Sequence, residues 1–519
     1  MANGRISDQT NVISNKMAIR LEIISSGRKE IVTVEKGSNL LSVIRDLDFD
    51  IYAPCGGKGT CGKCRVIIDG IGTVISCRYS VEKDITVHLP DRRMSEVMTA
   101  QYRFTRSVPF MPGKTAGLCS SPLGLAVDIG TTTMVYYLIN LGNGSQIGVH
   151  SELNSQVRFG ADVISRISYC ISKKNGLYEL QEITKQSINR QVELYSGQLG
   201  VAPECFTKIV ITGNTTMLHI LAGADPGPMA FAPFTPVFTS HRVFNSREIG
   251  IGIHSGGEVH LLPSVSAYVG ADIVTGIASI DDKDFDTFLY VDIGTNGEMA
   301  LVTKEKIWCC AAAAGPAFEG ANISCGSGAF DGAISRYDRT GFSTIADARP
   351  VSICGSGLID IIAFMVEEGI VDENGVLEQA FLVSPGKDNG IDEDIVITPQ
   401  DVREVQLAKG AIAAGVSVLL KRSGIAFDQV DKFIIAGGFG NYLSIDSALR
   451  IGLFPYELKD KIIQVGNAAG NGAVLALQSE SFMETIEDVI RRSEYIELSN
   501  DEDFPEEFAL NMGFTPLKS

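Results

Sequence analysis

The sequence predicts a multidomain α/β protein: a small thiol-bearing domain at the front, a short connector, then a long duplicated core of two lobes. Three observations carry that prediction. Four cysteines, Cys55, Cys61, Cys64 and Cys77, crowd together near the start. Short apolar alternations on either side of them read as strands. Further on, three motifs occur twice in the same order. A chain of 519 residues, 45% hydrophobic, can bury several separate cores.

In the front domain, "AIRLEIIS" and "EIVTVEKG" alternate like the strands of a hairpin. "SNLLSVIRDLD" reads as a helix with Ser38 as its N-cap and Leu41, Ile44 and Leu47 on one face. "RVIIDG", "GTVISC" and "DITVHLP" supply further strands. The cysteines are spaced C-x5-C-x2-C-x12-C, with a glycine-rich "CGGKGTC" loop between the first two. Disulfides, zinc and an iron–sulfur cluster are the three uses to weigh. Disulfides fit poorly, because the 11 cysteines are an odd number and most stand alone in apolar runs. Zinc favours paired C-x2-C units, and there is one such pair here. A glycine loop suits a cluster, since its N–H groups can approach the sulfides closely.

The remaining composition excludes several classes. There are 44 basic and 62 acidic residues, a net charge of −18, opposite in sign to a nucleic-acid binder. No apolar run approaches the ~20 residues of a membrane span. The longest, "GAIAAGVSVLL" between Lys409 and Lys421, reads as a buried helix. The start "MANGRISDQTNVISNK" has no apolar core segment, which points to the cytoplasm. Cys119, Cys170, Cys205, Cys309, Cys310, Cys325 and Cys354 read as small buried hydrophobes, and His219 in "TMLHIL" as a satisfied core histidine. Residues 93–121 keep no period and are broken by Pro109, Pro112 and Gly113, as a linker would be. The acidic "NDEDFPEEF" reads as a solvated end that Phe504 and Phe508 can pin.

The duplication lies in the long remainder. "LAVDIGTTT" matches "LYVDIGTNG", "KIVITGNTT" matches "KFIIAGGFG", and "SAYVGADIVTGIAS" resembles "GNAAGNGAVLALQS". Each "VDIGT" puts an Asp, Asp128 or Asp292, at the end of a buried strand, where it can hold Mg2+ directly or through water. Glycine then lets the chain turn. The N–H and hydroxyl groups that follow can bind phosphate oxygens: Gly130, Thr131, Thr132 and Thr133 in one copy, Gly294, Thr295 and Asn296 in the other. Gly437, Gly438 and Gly440 would let adenosine pass close to the backbone. From Asp128 to Gly213 is shorter than from Asp292 to Gly437, so the second lobe carries the extra residues, around "AAAAGPAFEGANISCGSGAFDGAI" and "ICGSGLIDIIAFMVEEGIVDENG". "ICGSGLID" itself reads as a strand-to-helix turn.

Two resemblances follow from these motifs. The order of two strands, helix, thiol loop and strands resembles the β-grasp 2Fe-2S ferredoxins, over residues 17–92, with the five-residue first gap of the adrenodoxin-like branch. The paired loops resemble the acetate and sugar kinase, Hsp70 and actin superfamily, whose two ribonuclease-H-like lobes hold ATP between them. Here they would be residues 122–284 and 285–480, after a linker at 93–121 and before an extension at 481–519. The combination resembles the ATP-dependent reductive activators of corrinoid proteins. "NSQVRFGADVISRI", "GNTTMLHIL", "PSVSAYVGADIVTG", "AAGPAFEGANI" and "LRIGLFP" fit that family. One departure follows "GPAFEGANI", where a Met is expected in place of Cys325-Gly-Ser.

The resemblance implies a 2Fe-2S cluster on Cys55, Cys61, Cys64 and Cys77, with ATP and Mg2+ in the cleft. It implies Asp128 and Asp292 as residues that position Mg2+ or the attacking water, and Glu298 and Glu319 as candidate bases. It implies reduction of a Co(II) corrinoid (cobalamin-binding) protein to Co(I) in a methyltransferase system. It also implies an upstream low-potential electron donor, an anaerobic setting and a homodimer, with no nucleic acid and no membrane span. The rivals are a small-molecule kinase gated by the cluster and an ATP-driven electron donor to another enzyme.

Overall fold

A computed structural model of the chain divides into two compact units, Met1–Arg92 and Arg93–Ser519. It describes residues 18–90, 105–112, 119 and 121–514, apart from 26–27, 48, 50, 54–55, 58, 60, 161, 387–392 and 441.

The first unit is a five-stranded mixed sheet with one helix against it. Ala18–Ser25 lies between Arg28–Glu35, antiparallel, and Ile85–His88, parallel; Arg65–Ile68 and Gly72–Ile75 complete the sheet. Leu21, Ile23, Val66, Ile68 and Val87 face the helix Leu40–Asp46, whose Leu40 and Ile44 are fully buried. Strand alternation and helix periodicity thus meet in one small core. The N-cap is one residue later than expected. Asn39 accepts the Ser42 N–H at 3.1 Å, while the Ser38 hydroxyl is used on the Glu35 carbonyl at 2.7 Å.

The second unit holds two six-stranded sheets that match over five strands; the sixth, Arg242–Asn245 in one and Ser493–Tyr495 in the other, lies at opposite edges. In the first half, Gln146–Leu153, Thr133–Asn140 and Leu123–Ile129 run antiparallel, then Phe206–Gly213 and Glu258–Leu261 continue parallel. In the second half, Ile307–Ala312, Gly297–Val302 and Phe288–Ile293 run antiparallel, then Lys432–Ala436 and Ile462–Gly466 continue parallel. The sequence repeat is therefore a repeat of structure. The additional residues of the second half form the strands Ala333–Asp338, Gly341–Thr344 and Ser352–Ile353, the helix Gly355–Glu367, and the hairpin of Phe381–Ser384 with Ile395–Ile397. Gly410–Leu420 lies in the buried part of the helix Pro399–Ser423. The helix Phe504–Leu510 packs Phe504 and Phe508 on the second core. Among the described residues no helix is long and apolar enough to cross a membrane.

Two cysteines depart from the sequence reading. Cys119 and Cys205 are joined as a disulfide rather than standing as separate small hydrophobes, with Cα atoms 5.7 Å apart. They are 86 residues apart in the chain. Leu123 lies beside Phe206 where two parallel strands begin, so the chain enters both strands at one place. That proximity depends on tertiary pairing, and the spacing of the cysteines does not reveal it.

Candidate functional site

The strand Leu123–Ile129 is buried except at Asp128, and the turn after it is closed by Gly130 N–H donating to Thr133 O at 2.9 Å. A Cβ on Gly130 would stand 2.8 Å from that oxygen, so a side chain has no room. The loop is then fixed from outside. Asn154 donates from Nδ2 to Gly130 O and from its backbone to Thr132 O, both at 2.8 Å. Asn214 Nδ2 donates to Thr131 Oγ1 at 3.1 Å. The buried Arg166 donates to Thr131 O and, at 3.0 Å, to Gly160 O. Burial pushes this guanidinium down to about 9, with Asp162 and Glu319 opposing the shift. Thr133 itself opens the next strand.

The second loop closes one residue sooner. Gly294 N–H donates to Asn296 O at 2.9 Å, and Asp292 ends the strand Phe288–Ile293. Glu319 joins the two loops. Its carboxylate accepts from Thr132 Oγ1 at 3.2 Å and from Thr295 Oγ1 at 2.9 Å, although these threonines belong to different halves.

Behind the loops four carboxyl groups converge. Asp292 faces Glu298 across an antiparallel strand pair. Burial raises Asp128 to about 6, against the Asn467 amide that donates to it at 2.8 Å. Burial, and then the charge of Asp128, raise Asp292 to about 7. Burial with both of those charges raises Asp272 to about 8. Glu298 is raised further by burial and by Asp272 and Asp292. Buried acids that repel one another keep their protons to higher pH, which is why all four lie above the ordinary carboxylate range; they are not set as a metal-holding group among the described residues.

Gly437, at φ +87°, comes so near the acidic centre that a Cβ there would stand 2.4 Å from Asp292 Oδ1. Gly438 and Gly440 share its turn, and Gln464 Nε2 holds the Gly440 carbonyl at 2.5 Å. Gly355, Ser356 and Gly357 are the buried first turn of a helix, as the strand-to-helix reading expects.

In the first unit Cys55 lies outside the described residues. Cys64 is buried and its sulfur accepts the Cys77 N–H at 3.4 Å. Gly56, Gly57, Gly59 and Gly62 all have positive φ. A Cβ on Gly57 would meet Leu41 at 3.0 Å and Cys77 at 3.9 Å, so the loop wraps tightly beside the thiols. Among the described residues, which include Cys61, Cys64 and Cys77, no group of three or more His, Cys, Asp or Glu is set to hold a metal ion. A thiol accepting a backbone N–H beside a close glycine loop fits thiolate ligation.

Comparison with known proteins follows this geometry. The family model described as the C-terminal domain of RACo, the ASKHA domain, matches residues 286–518, and the RACo middle region matches residues 123–283. The chain belongs to the RACo family. The ASKHA domain makes this RACo-family chain an ATP-binding protein. It is 28% identical to the corrinoid activation enzyme RamQ of Eubacterium limosum, over 94% of this chain and 98% of that one. It is 27% identical to the [Co(II) methylated amine-specific corrinoid protein] reductase of Methanosarcina barkeri, over 71% of each. Among solved structures, the reductive activator for corrinoid, iron-sulfur protein aligns with a TM-score of 0.69 at 28% identity, over 95% of this chain and 98% of that one.

The structure thus brings Asp128, Asp292, Glu298, Glu319 and both threonine loops of the RACo-family chain to one cleft. Sequence reasoning missed Asn154, Arg166, Asn214, Asp272 and Asn467. Each lies in a motif already singled out. Asp272 stands in the duplicated "GADIVTG" unit at the start of the helix Ala271–Ser279, and an acidic residue there was the available signal. His219 is a core histidine as expected: Nδ1 lies 2.7 Å from Thr215 O, and Nε2 accepts from Val237 and Phe238.

Proposed function

We propose that this protein reduces the inactive Co(II) form of a corrinoid protein to Co(I), taking the electron through a 2Fe-2S cluster on Cys55, Cys61, Cys64 and Cys77 and driving the step with ATP. The observation that carries it is Glu319, hydrogen bonded to the phosphate loops of both halves, in a chain similar along nearly its whole length to a reductive activator. A phosphate entering the cleft competes for the same threonine hydroxyls, so binding ATP changes how the halves are joined.

The residue roles follow the geometry. Asp128 and Asp292 position Mg2+ and the water. Thr131, Thr132, Thr133, Thr295 and Asn296, with the N–H groups of Gly130 and Gly294, hold phosphate oxygens. Gly437, Gly438 and Gly440 leave room for adenosine. Asp272 and Glu298 are the candidate bases; each can take the proton of water only in its ionised form, which burial and mutual repulsion disfavour and a bound cation would favour. Glu319 spends its oxygens on two threonines and serves as the tie between loops. ATP and water yield ADP and free phosphate; one electron converts Co(II) to Co(I).

The cluster supplies that electron, and plant-type clusters lie near −400 mV, where each ~59 mV of shortfall costs about ten-fold in a one-electron equilibrium. ATP offsets the shortfall by changing the state of the corrinoid partner. The reading extends to an upstream low-potential donor, a homodimer and an anaerobic cytoplasm, supported by the family likeness. The test is to mix the reduced protein with a Co(II) corrinoid protein and follow the Co(I) absorption band. Co(I) appearing with Mg-ATP and absent without it is expected. ATP turnover that phosphorylates a metabolite, with no Co(I), would contradict the reading and favour the kinase.

A further inference from the structure

Residues 105–112 cross the C-terminal ends of two helices from different halves of the chain, Ala271–Ser279 and Ala468–Gln478. Thr105 bridges to Ile280, and the Arg106 N–H donates to Ser279 O at 2.8 Å. The Arg106 guanidinium donates to Ala278 O and Ile280 O, each at 3.1 Å, and to Asp282 Oδ1 at 2.7 Å. A residue from another segment thereby satisfies the carbonyls that a helix end leaves unpaired, and its charge suits the negative end of the helix dipole.

The second helix is tied to the same segment. Asn471 Nδ2 donates to Thr105 Oγ1 at 3.2 Å, and the Met111 N–H donates to Gln478 O at 2.9 Å. Phe110 covers Gly144, where a Cβ would stand 2.7 Å from the ring. Beside Arg106 a cavity of about 480 Å³, lined also by Phe288, Val302 and Arg492, leaves space for this segment to shift.

The other ends of these helices lie at the acidic centre. Asp272 is in the first turn of one, and Asn467, bonded to Asp128, caps the other. The two touch backbone to backbone: a Cβ on Gly472 would stand 2.3 Å from Thr275 O. The Thr275 hydroxyl also donates to Ala469 O at 3.3 Å, so the helices meet along one close seam, the kind of contact that shifts in small shear steps. Helices of 9 and 11 residues carry a displacement over about 14–17 Å.

We propose that residues 105–112 form a strap that reads the relative position of these helices, with Arg106 as the positioning residue that couples the nucleotide cleft to the segment leading back to the thiol-bearing unit. The proposal rests on the ATP-driven reduction argued above. Mg-ATP draws Asp128, Asp272 and Asp292 toward one cation, and the helices slide. A strap bonded to both cannot keep both sets of bonds, so it changes position.

Full-length protein with its cluster assembled tests this, by measuring phosphate release and Co(I) in the same anaerobic sample. Arg106→Met is expected to hold phosphate release within about two-fold of wild type and to lower Co(I) formed per ATP by about ten-fold. Arg106→Lys, which keeps the charge without the forked donors, is expected to fall between. An unchanged ratio, or equal loss of both activities, would overturn the coupling role. Amide exchange in wild-type protein gives an independent readout. Protection across residues 105–112 should change about five-fold on adding a non-hydrolysable ATP analogue. No change would overturn the strap. A changed strap in a wild-type protein that makes no Co(I) would instead overturn the reduction reading and leave the strap standing.

Discussion

The two phosphate loops share a motif, yet they are held in place by different means. The first depends on Asn154, Arg166 and Asn214, side chains that reach it from three separate elements. The second is shaped within its own sheet, where Asp292 pairs with Glu298 and Gly297 packs under Ile412. Glu319 then ties one to the other. A duplicated sequence therefore supplied two copies of the phosphate chemistry, and different surroundings hold one loop by side chains from other elements and the other by its own strand pair and the helix that carries Ile412.

The largest expected effect is at the second loop. Asp292→Ala should lower ATP hydrolysis on the order of 100- to 1000-fold, because it removes a carboxylate from the centre while leaving the first loop intact; phosphate release measures it. Arg166→Met should act on the first loop, leaving the Thr131 and Gly160 carbonyls without their charged donor. A loss of about 3 kcal/mol in urea unfolding is expected, with a raised KM for ATP. If instead amide exchange rises equally in both loops, the contrast between them is wrong.

The acidic centre predicts a pH trend of definite sign. Asp128, Asp292 and Asp272 have folded values near 6, 7 and 8, above the ordinary 3.8. The native state then binds more protons than the unfolded state between those limits. Stability without nucleotide should therefore be greatest below about pH 4 as far as these groups contribute, fall most steeply between about pH 4 and 6 where all three differ, and level off above about 8, by at most ~1.4 kcal/mol per pH unit for each group. Urea midpoints in a metal chelator measure this. Asp272→Asn should flatten the upper part of the slope, and Mg-ATP should do the same. The smallest effect concerns the tie. Thr132→Val and Thr295→Val, alone and together, should show a coupling of about 1 kcal/mol in ATP binding, and in a Glu319→Gln background that coupling should shrink.

Much of this arrangement was legible in the sequence, for a physical reason. Strands, tight turns and the residues that end them are local, so "VDIGT" announced both loops and the thiol spacing announced a loop rather than a helix. What escaped was set by tertiary pairing. Asp272 sits at a helix start that reads as an ordinary acidic cap until the fold carries it beside Asp128. Arg166 lies in a stretch noted only for its family likeness, and the fold buries it against Thr131. Cys119 and Cys205 meet because two parallel strands begin side by side. The segment 105–112 lacks a period because its partners are helix ends, which impose none.

The most direct measurement of the central claim is a freeze-quench experiment on pre-reduced protein and a Co(II) corrinoid protein, with the paramagnetic signals of the reduced cluster and of Co(II) recorded together. With Mg-ATP both signals should decay at one rate and in equal amounts, and without ATP both should persist. Loss of the Co(II) signal without ATP, or in a Cys61→Ser variant, would contradict ATP-driven reduction through the cluster.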